Sequence, residues 1–282
     1  MTRLRTVARI LWTNPVLLVG SAMLLLLVVL VVFGPALAPY RYSTMHPTAT
    51  FAPPFQAPHY LGTDEFGRDV LSRVVYGARF SLLIAMMSAL LAITLGTVFG
   101  ALAGYFGGWL NAIIMRVTDL LLAFPALLLA IVVVAIAGPG LTNATLAIGI
   151  VYAPRVVRIV RSAVLQVMQN DYVNAAMALG ARDGRVIWLH VLRNTLPTLG
   201  TYTSILFAYG LLTEAALSFL GLGVQPPIPS WGGMLRSARS FLELSPMLSV
   251  FPGVAIMFAV LTFNLIADGL AEVLDPRLRS KT

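Results

Sequence analysis

Long apolar segments alternate with short polar segments along the chain, and their lengths predict membrane-spanning helices. A helix needs about 20 apolar residues to cross the hydrocarbon core of a bilayer. We predict six such spans: Val16–Phe33, Phe80–Ala103, Leu120–Ala137, residues 143–166, Thr195–Gly221 and Leu244–Leu270. The third is expected to begin about a turn earlier, near Met115. The pattern therefore indicates an all-α membrane protein with both chain ends on one side.

The polar segments between the spans divide the chain into four parts. These are a tail and first span at 1–40, an extracytoplasmic segment at 41–78, a five-span core with a polar loop (168–197) at 79–275, and a tail at 276–282. Five prolines in Pro39–Tyr60 predict irregular structure, and the alternating charges of Asp64–Arg79 predict an amphipathic helix on the outer surface. Gly138-Pro139-Gly140 is expected to form a hairpin, and Gly221–Trp231 a re-entrant or surface loop.

The first span has two interpretations. It follows three arginines, and Ala36-Leu37-Ala38 resembles a signal-peptidase site, so a cleaved signal is one of them. However, Val16–Phe33 is longer than the apolar region of about 7–15 residues in a signal peptide, and further spans follow it. We therefore favour a retained membrane anchor.

Composition supports membrane insertion and sets the orientation. Hydrophobic residues make up 59% of the chain and charged residues 11%, against roughly 25% charged in soluble domains. The net charge of +8 is spread over separate inter-span segments, which argues against nucleic-acid binding. With both ends in the cytoplasm, thirteen Arg and Lys residues are cytoplasmic, among them Arg155, Arg158 and Arg161 in the last turns of the fourth helix, and six are external, as the positive-inside rule requires.

The sequence lacks the residues that most enzymatic sites need. The single lysine, Lys281, is not preceded by a phosphate-binding GxxxxGK[ST] loop. There is no cysteine, and none of the three histidines belongs to an HExxH motif. We therefore expect no enzyme, no bound cofactor and no metal site in this chain. If ATP drives the protein, another subunit must hydrolyse it.

A polar, basic stretch, Asp171–Pro197, interrupts the apolar sequence and predicts two short helices joined by a turn. Asp171 can cap the first helix and Gly180 can end it in a left-handed conformation. Asp183 can cap the second, and Pro197 is expected to end it. A folded helix pair between two membrane spans is expected to dock onto another protein. We call Asp171–Pro197 the docking loop.

Several motifs resemble one branch of the ABC importer permeases. Asn174-Ala175-Ala176, Gly180 and Pro197 follow the pattern of the family's "EAA" loop. Three further stretches are similar to the permeases of dipeptide, oligopeptide and nickel importers: LGTDEFGRDVLSRVVYGARFSL from Leu61, EAALSFLGLGVQPPIPSWGGML from Glu214, and FNLIADGLAEVLDPR from Phe263. On these motifs the chain resembles the second, C-type, permease of a heterodimeric pair.

The resemblance implies an architecture and a set of partners. The expected fold is a type I ABC importer permease (MetI-like) core with an extra N-terminal span and a cytoplasmic coupling helix. The partners would be a sister permease, two cytoplasmic ATPase subunits that bind ATP and Mg²⁺, an extracytoplasmic solute-binding protein and membrane lipid, without nucleic acid. The location would be the cytoplasmic (inner) membrane of a bacterium or archaeon, with both termini in the cytoplasm.

The loop residues would couple the chain to the ATPases. The resemblance and the pattern together select Tyr172, Asn174, Ala175, Ala176, Gly180, Asp183, His190 and Pro197. A face made by Val173, Ala176, Met177 and Gly180 is expected to enter a cleft of the ATPase. The family's usual glutamate is replaced by Asn174, which cannot form an ion pair, and we expect backbone and apolar contacts to dominate.

Charged residues inside or near the spans each need a reason, because charges at membrane depth are costly. For Asp119, neutralisation by Arg116 is favoured over substrate contact. For Glu214, interior hydrogen bonding and a place in the translocation path are equally favoured. Asp268 and Glu272 are expected to pair with arginines of the docking loop. A last group either contacts the binding protein or anchors the surface helix: Asp64, Arg68 and Asp69.

The favoured function is the transmembrane subunit of an ATP-driven importer of di- or oligopeptides. The same architecture would also suit nickel chelates, glutathione or another small polar solute. A stand-alone secondary transporter would need carboxylates at the membrane midplane, and only Glu214 qualifies. No catalytic arrangement of residues in the sequence supports an intramembrane enzyme.

Overall fold

Helices make up most of the computed structural model, which describes residues 14–274. Ten α-helices follow one another: α1 Pro15–Leu37, α2 Val70–Phe106, α3 Gly108–Leu122, α4 Ala126–Ala137, α5 Leu141–Met168, α6 Asp171–Ala178, α7 Asp183–Val186, α8 Arg193–Phe219, α9 Trp231–Ala238 and α10 Met247–Leu274. Short 3₁₀ turns occur at Pro47–Ala49 and Arg239–Phe241, and a π-helical segment at Ile187–Leu192 joins α7 to α8. Within 14–274 the only β pairing is two isolated bridges. The predicted tails, including residues 1–13 and 276–282, lie outside the described residues.

The helices that correspond to the six predicted passes differ in length and hydropathy. Three helices are long and apolar enough to cross a membrane, namely α1, α2 and α10, and the α3–α4 pair qualifies together as a broken span or a re-entrant loop. Helices α5 and α8, of 28 and 27 residues, are long enough but more polar. The all-α architecture predicted from the sequence is confirmed.

The third span is not the continuous helix that was predicted. Helices α3 and α4 are bent by 94° at the break between them. Pro125 occupies the N-cap of α4, and a proline disfavours helical conformation in the residue before it. With 12 residues, α4 is about 18 Å long, shorter than a hydrocarbon core of about 30 Å. Met115, the expected start, lies inside α3.

The predicted surface helix at Asp64–Arg79 is also wrong. The chain turns between residues 64 and 69, and α2 then begins at Val70 and runs for 37 residues. Asp69 caps this helix, because its Oδ2 accepts a hydrogen bond from the Ser72 backbone N–H at 2.8 Å. Residues 70–79 are therefore the N-terminal part of the long helix that contains the second span. At about 55 Å, α2 is much longer than the predicted Phe80–Ala103.

The helix that follows the docking loop does not end at Pro197. The chain remains helical from Asp183 through the π-helical segment and on to Phe219. Proline removes one backbone donor, but the apolar residues that follow must satisfy their backbone groups internally in a membrane, and a helix does this. The fifth span therefore continues from the docking loop without a break in the helix.

The closest packing in the chain joins α2 and α5, which run parallel. Three α2 glycines one turn apart face three α5 valines: Gly96, Gly100 and Gly104 face Val156, Val160 and Val164. A Cβ atom on Gly100 would lie 2.7 Å from the Cβ of Val160. Small residues let two membrane helices approach closely. We call this contact the glycine seam.

The Gly- and Pro-rich loop after α8 folds back against the helices. Trp231, at the end of this loop, is almost fully buried. Its backbone N–H donates to Ser81 Oγ at 3.1 Å, and its indole Nε1 donates to the Val74 carbonyl at 2.9 Å. The loop is non-helical, as predicted, and the tryptophan fixes it to the N-terminal part of α2.

Candidate functional site

The docking loop between α5 and α8 has the predicted helix–turn–helix form. Gly180 ends α6 with a φ of +82°, and its N–H donates to the Met177 carbonyl at 2.9 Å. The predicted caps lie one residue earlier, because the N-cap positions are Asn170 and Arg182. Asp171 and Asp183 occupy the first turns instead, where a carboxylate is favoured by the helix dipole.

Only part of the predicted face of α6 is exposed, since Met177 and Gly180 are exposed and Val173 is not. Val173 is fully buried within the chain, so it is not available to a partner. Tyr172, Ala175, Ala176 and Leu179 follow one another at i, i+3, i+4 and i+7, which places them on one side of the helix. Leu179 is 89% exposed, and Ala176 is half-buried. We call these four residues the docking face.

Hydrogen bonds connect the docking loop to two long helices. Asp183 accepts a hydrogen bond from the Tyr105 hydroxyl near the end of α2 at 2.7 Å. On the other side, Asn194 of α8 donates to the Tyr172 hydroxyl at 3.1 Å, and the Tyr172 ring lies 5.9 Å from the His190 ring. These contacts join the loop to α2 and α8. Asn174 is exposed, and Pro197 lies within α8.

Glu214 is sealed inside the chain. It is 0% exposed, and its Oε1 accepts a hydrogen bond from Ser218 Oγ at 2.7 Å. Its Oε2 makes no hydrogen bond within the described residues, although Ser81 and Ser230 lie beside the carboxyl group. Of the two predicted roles, this geometry favours interior contact between α8, α2 and the following loop.

Asp119 pairs with a different arginine from the one predicted. Its Oδ1 lies 2.5 Å from Arg158 Nη2 of α5, whereas Arg116 is exposed and belongs to none of the described ion pairs. One turn further along α5, Arg161 Nε donates to Asn111 Oδ1 at 2.6 Å. The last turns of α5 face α3, and the two contacts hold the broken span against it.

The three candidate contacts for a binding protein are turned inward. Arg68 Nε lies 2.7 Å from Asp64 Oδ2, and Asp69 Oδ1 lies 3.0 Å from His59 Nδ1. Asp64, Arg68 and Asp69 are all buried. They stabilise the turn before α2, while the neighbouring Phe66 is exposed.

The last helix is not held by the docking-loop arginines as predicted. Glu272 Oε2 instead accepts a hydrogen bond from Asn14 Nδ2 at the start of α1, at 2.8 Å. Asp268 is exposed and takes part in none of the described ion pairs. This end of α10 therefore contacts the first span, which sequence spacing could not reveal.

One polar cluster was missed by the sequence interpretation, which assigned Arg155 to the cytoplasmic end of α5. Arg155 Cζ lies 5.3 Å from the ring centre of Tyr152 and 5.7 Å from that of Tyr209 on α8. The two rings are stacked 6.1 Å apart, and the Tyr152 and Thr213 hydroxyls are hydrogen-bonded at 2.8 Å. The spacing of Tyr152 and Arg155, one helical turn, was the available signal.

Comparison with known proteins identifies the family to which this chain belongs. Residues 96–280 match the family of binding-protein-dependent transport system inner membrane components. The chain belongs to this family. Residues 2–54 in addition match the N-terminal transmembrane domain of oligopeptide transport permease C. The predicted resemblance to this branch of ABC importer permeases is confirmed, and the chain is a multi-pass inner-membrane permease that works with ATPase and solute-binding partners.

Curated relatives of this permease align over most of its length. The dipeptide transport system permease protein DppC of Alkalihalophilus pseudofirmus is 42% identical over 267 residues, which cover 95% of this chain and 88% of the relative. The di/tripeptide permease DppC of Pseudomonas aeruginosa is 43% identical, covering 93% and 88%. The glutathione transport system permease GsiD of Pectobacterium atrosepticum is 44% identical, covering 79% and 74%.

The fold also resembles a solved permease structure. An inward-facing structure of the MetNI methionine ABC transporter matches with a TM-score of 0.58 at 17% sequence identity. The match covers 74% of this chain and 96% of the other. At this identity the likeness establishes the fold, and the predicted MetI-like core is confirmed.

Proposed function

We propose that this permease pairs with a sister permease to form the translocation path of an ATP-driven peptide importer. Its place would be the cytoplasmic membrane of a bacterium or archaeon, in contact with lipid, with both termini in the cytoplasm. ATP and Mg²⁺ would be bound by the two ATPase subunits, and this chain would hold no cofactor. The peptide would be delivered by the solute-binding protein.

The observation that carries the proposal is the docking face. Leu179 exposes 89% of its surface to solvent in a polar loop, with two alanines and Tyr172 on the same side of α6. A short helix with small residues between two large apolar ones suits a narrow cleft. Closure of the ATPases would displace α6, and the Asp183–Tyr105 and Asn194–Tyr172 hydrogen bonds would pass this displacement to α2 and α8.

Asn174 should not impair this coupling. Its side chain is exposed, and the docking face beside it is apolar. A contact of this kind depends on shape and burial, so the missing glutamate changes only a peripheral interaction. A charged replacement at Ala176 or Gly180 that left assembly and transport unchanged would contradict this view.

Peptides are favoured as substrates because relatives aligned over nearly the whole chain carry dipeptide or di/tripeptide names. Glutathione, itself a tripeptide, is the second candidate because GsiD is equally similar over a shorter segment. A nickel chelate has no such support. A stand-alone secondary transporter is disfavoured, since Glu214, the one deep carboxylate among the predicted candidates, is sealed by α2, α8 and the loop.

The test is co-purification of the chain with its proposed partners, followed by uptake in liposomes from a panel of peptides and glutathione. We expect a stable complex with two ATPase subunits and uptake that requires both ATP and the binding protein. Leu179→Asp should abolish ATPase recruitment, whereas Leu244→Asp, at an exposed leucine in the loop before α10, should not. ATP-independent uptake by the chain alone would contradict the proposal.

A further inference from the structure

The middle of the predicted fourth span holds an arginine that forms no ion pair within residues 14–274. Arg155 occupies the middle of α5, next to Val156, which faces Gly96 of α2. Gly96 belongs to the apolar part of α2, well inside the predicted second span. Arg155 therefore lies at the level of a part of α2 that was predicted to be within the membrane.

The three arginines of α5 differ in the groups that their guanidinium groups contact. Arg158 pairs with Asp119, and Arg161 donates to Asn111. Arg155 forms none of the ion pairs found among the described residues; its guanidinium contacts the faces of Tyr152 and Tyr209 instead. Aromatic faces stabilise a cation and hold its plane, but they leave the N–H donors at its edge without acceptors.

This cluster also opens toward the surface of the chain. Tyr209 is 44% exposed, and Tyr202, two turns before it on α8, is half-buried. The Tyr152 hydroxyl is engaged by Thr213, which fixes the ring against which Arg155 lies. An arginine held in this way is preorganised to receive a planar anion.

We propose that Arg155, oriented by Tyr152 and Tyr209, is a binding station for the carboxylate of a peptide in transit. The inference rests on the proposed function, because a zwitterionic peptide must bring its C-terminal carboxylate through a region where an unpaired charge is costly. A guanidinium donates two parallel hydrogen bonds to a carboxylate. Charged side chains facing an interior path commonly mark such routes in membrane proteins.

The test uses the complete transporter in liposomes, with trialanine and its C-terminal amide as probes. Losing a hydrogen bond to a charged group corresponds to about a tenfold change in rate or affinity. We therefore expect Arg155→Gln to reduce trialanine uptake at least about tenfold and to leave uptake of the amide close to that of the unmodified transporter. Arg155→Lys should retain part of the trialanine uptake, because lysine keeps the positive charge but lacks the two parallel N–H donors of the guanidinium group.

Arg158→Gln is the matched control, since it removes the same group one turn along α5 at an exposed ion pair. It should leave the ratio of trialanine to amide uptake unchanged. ATPase stimulation by the loaded binding protein separates transport from assembly: we expect Arg155→Gln to retain it. Equal effects of Arg155→Gln on the two probes, including no effect on either, would overturn the inference. If the unmodified transporter imports no peptide at all, the proposed function itself fails.

Discussion

Replacement of Gly100 by alanine tests the glycine seam most directly. The new Cβ atom would lie 2.7 Å from Val160 Cβ and 2.8 Å from the Val157 carbonyl oxygen. Carbon atoms in contact prefer separations of about 3.5–4.0 Å, so the overlap is about 1 Å. A side chain could rotate away, but a backbone carbonyl cannot, and the two helices must therefore separate.

Overpacking of this kind costs typically about 1–3 kcal/mol. Separation would also loosen the flanking contacts at Gly96 and Gly104, because both belong to the same seam. A change of 1 kcal/mol shifts the melting temperature of a chain of 150–250 residues by about 2–4 °C. We therefore expect Gly100→Ala to lower the Tm of the purified permease complex by roughly 2–12 °C.

The assay is thermal unfolding in detergent, with Gly200→Ala as the control. Gly200 also lies inside a long helix, α8, but a Cβ atom there would meet nothing within 4 Å. Alanine is the better helix former, so the control should match or exceed the unmodified Tm. Equal melting temperatures for Gly100→Ala and Gly200→Ala would refute the close approach of α2 and α5.

Three further predictions concern contacts outside the seam. Trp231→Ala should lower stability by about 3–5 kcal/mol and make residues 221–230 sensitive to external protease, because the loop loses its buried anchor; a Trp231→Phe variant, which keeps the ring, should lose less. Asp69→Ala should cost about 0.5–2 kcal/mol, since it removes the cap of α2; an unchanged unfolding curve would show that the cap contributes nothing. Arg158→Gln should change stability by less than about 1 kcal/mol, because both partners of its ion pair are about half exposed, and a larger loss in a thermal melt would mean that the pair is desolvated.

Much of the fold follows from the lengths of the apolar segments and the position of the polar loop. Hydrophobicity predicts which residues enter a membrane, and Gly180 predicts the end of α6 because few other residues accept a positive φ. The bend at Pro125 escaped prediction, since a proline breaks some helices and is tolerated in others. Pro197 is the second case, as the helix continues through it.

The candidate site was less predictable, because sequence spacing does not show which surface a side chain faces. Val173 fits an amphipathic docking face by spacing, but it is buried against the chain itself. The charges of Asp64 and Arg68 suggest solvent exposure, yet they neutralise each other in a tight turn. Arg155 was counted with the cytoplasmic charges because its aromatic partner Tyr209 is 54 residues away on another helix.

Helix α2 has arms of very unequal length on either side of the glycine seam. From Gly100 it extends about 8 Å to Tyr105 and about 45 Å to Val70 at its outer start. If the seam acts as a fulcrum, a shift of about 1 Å at Tyr105 becomes about 6 Å at the far end. A small displacement at Tyr105 would thereby be magnified toward the opposite end of α2, where Val74 and Ser81 bind Trp231, and the force transmitted would fall in the same proportion.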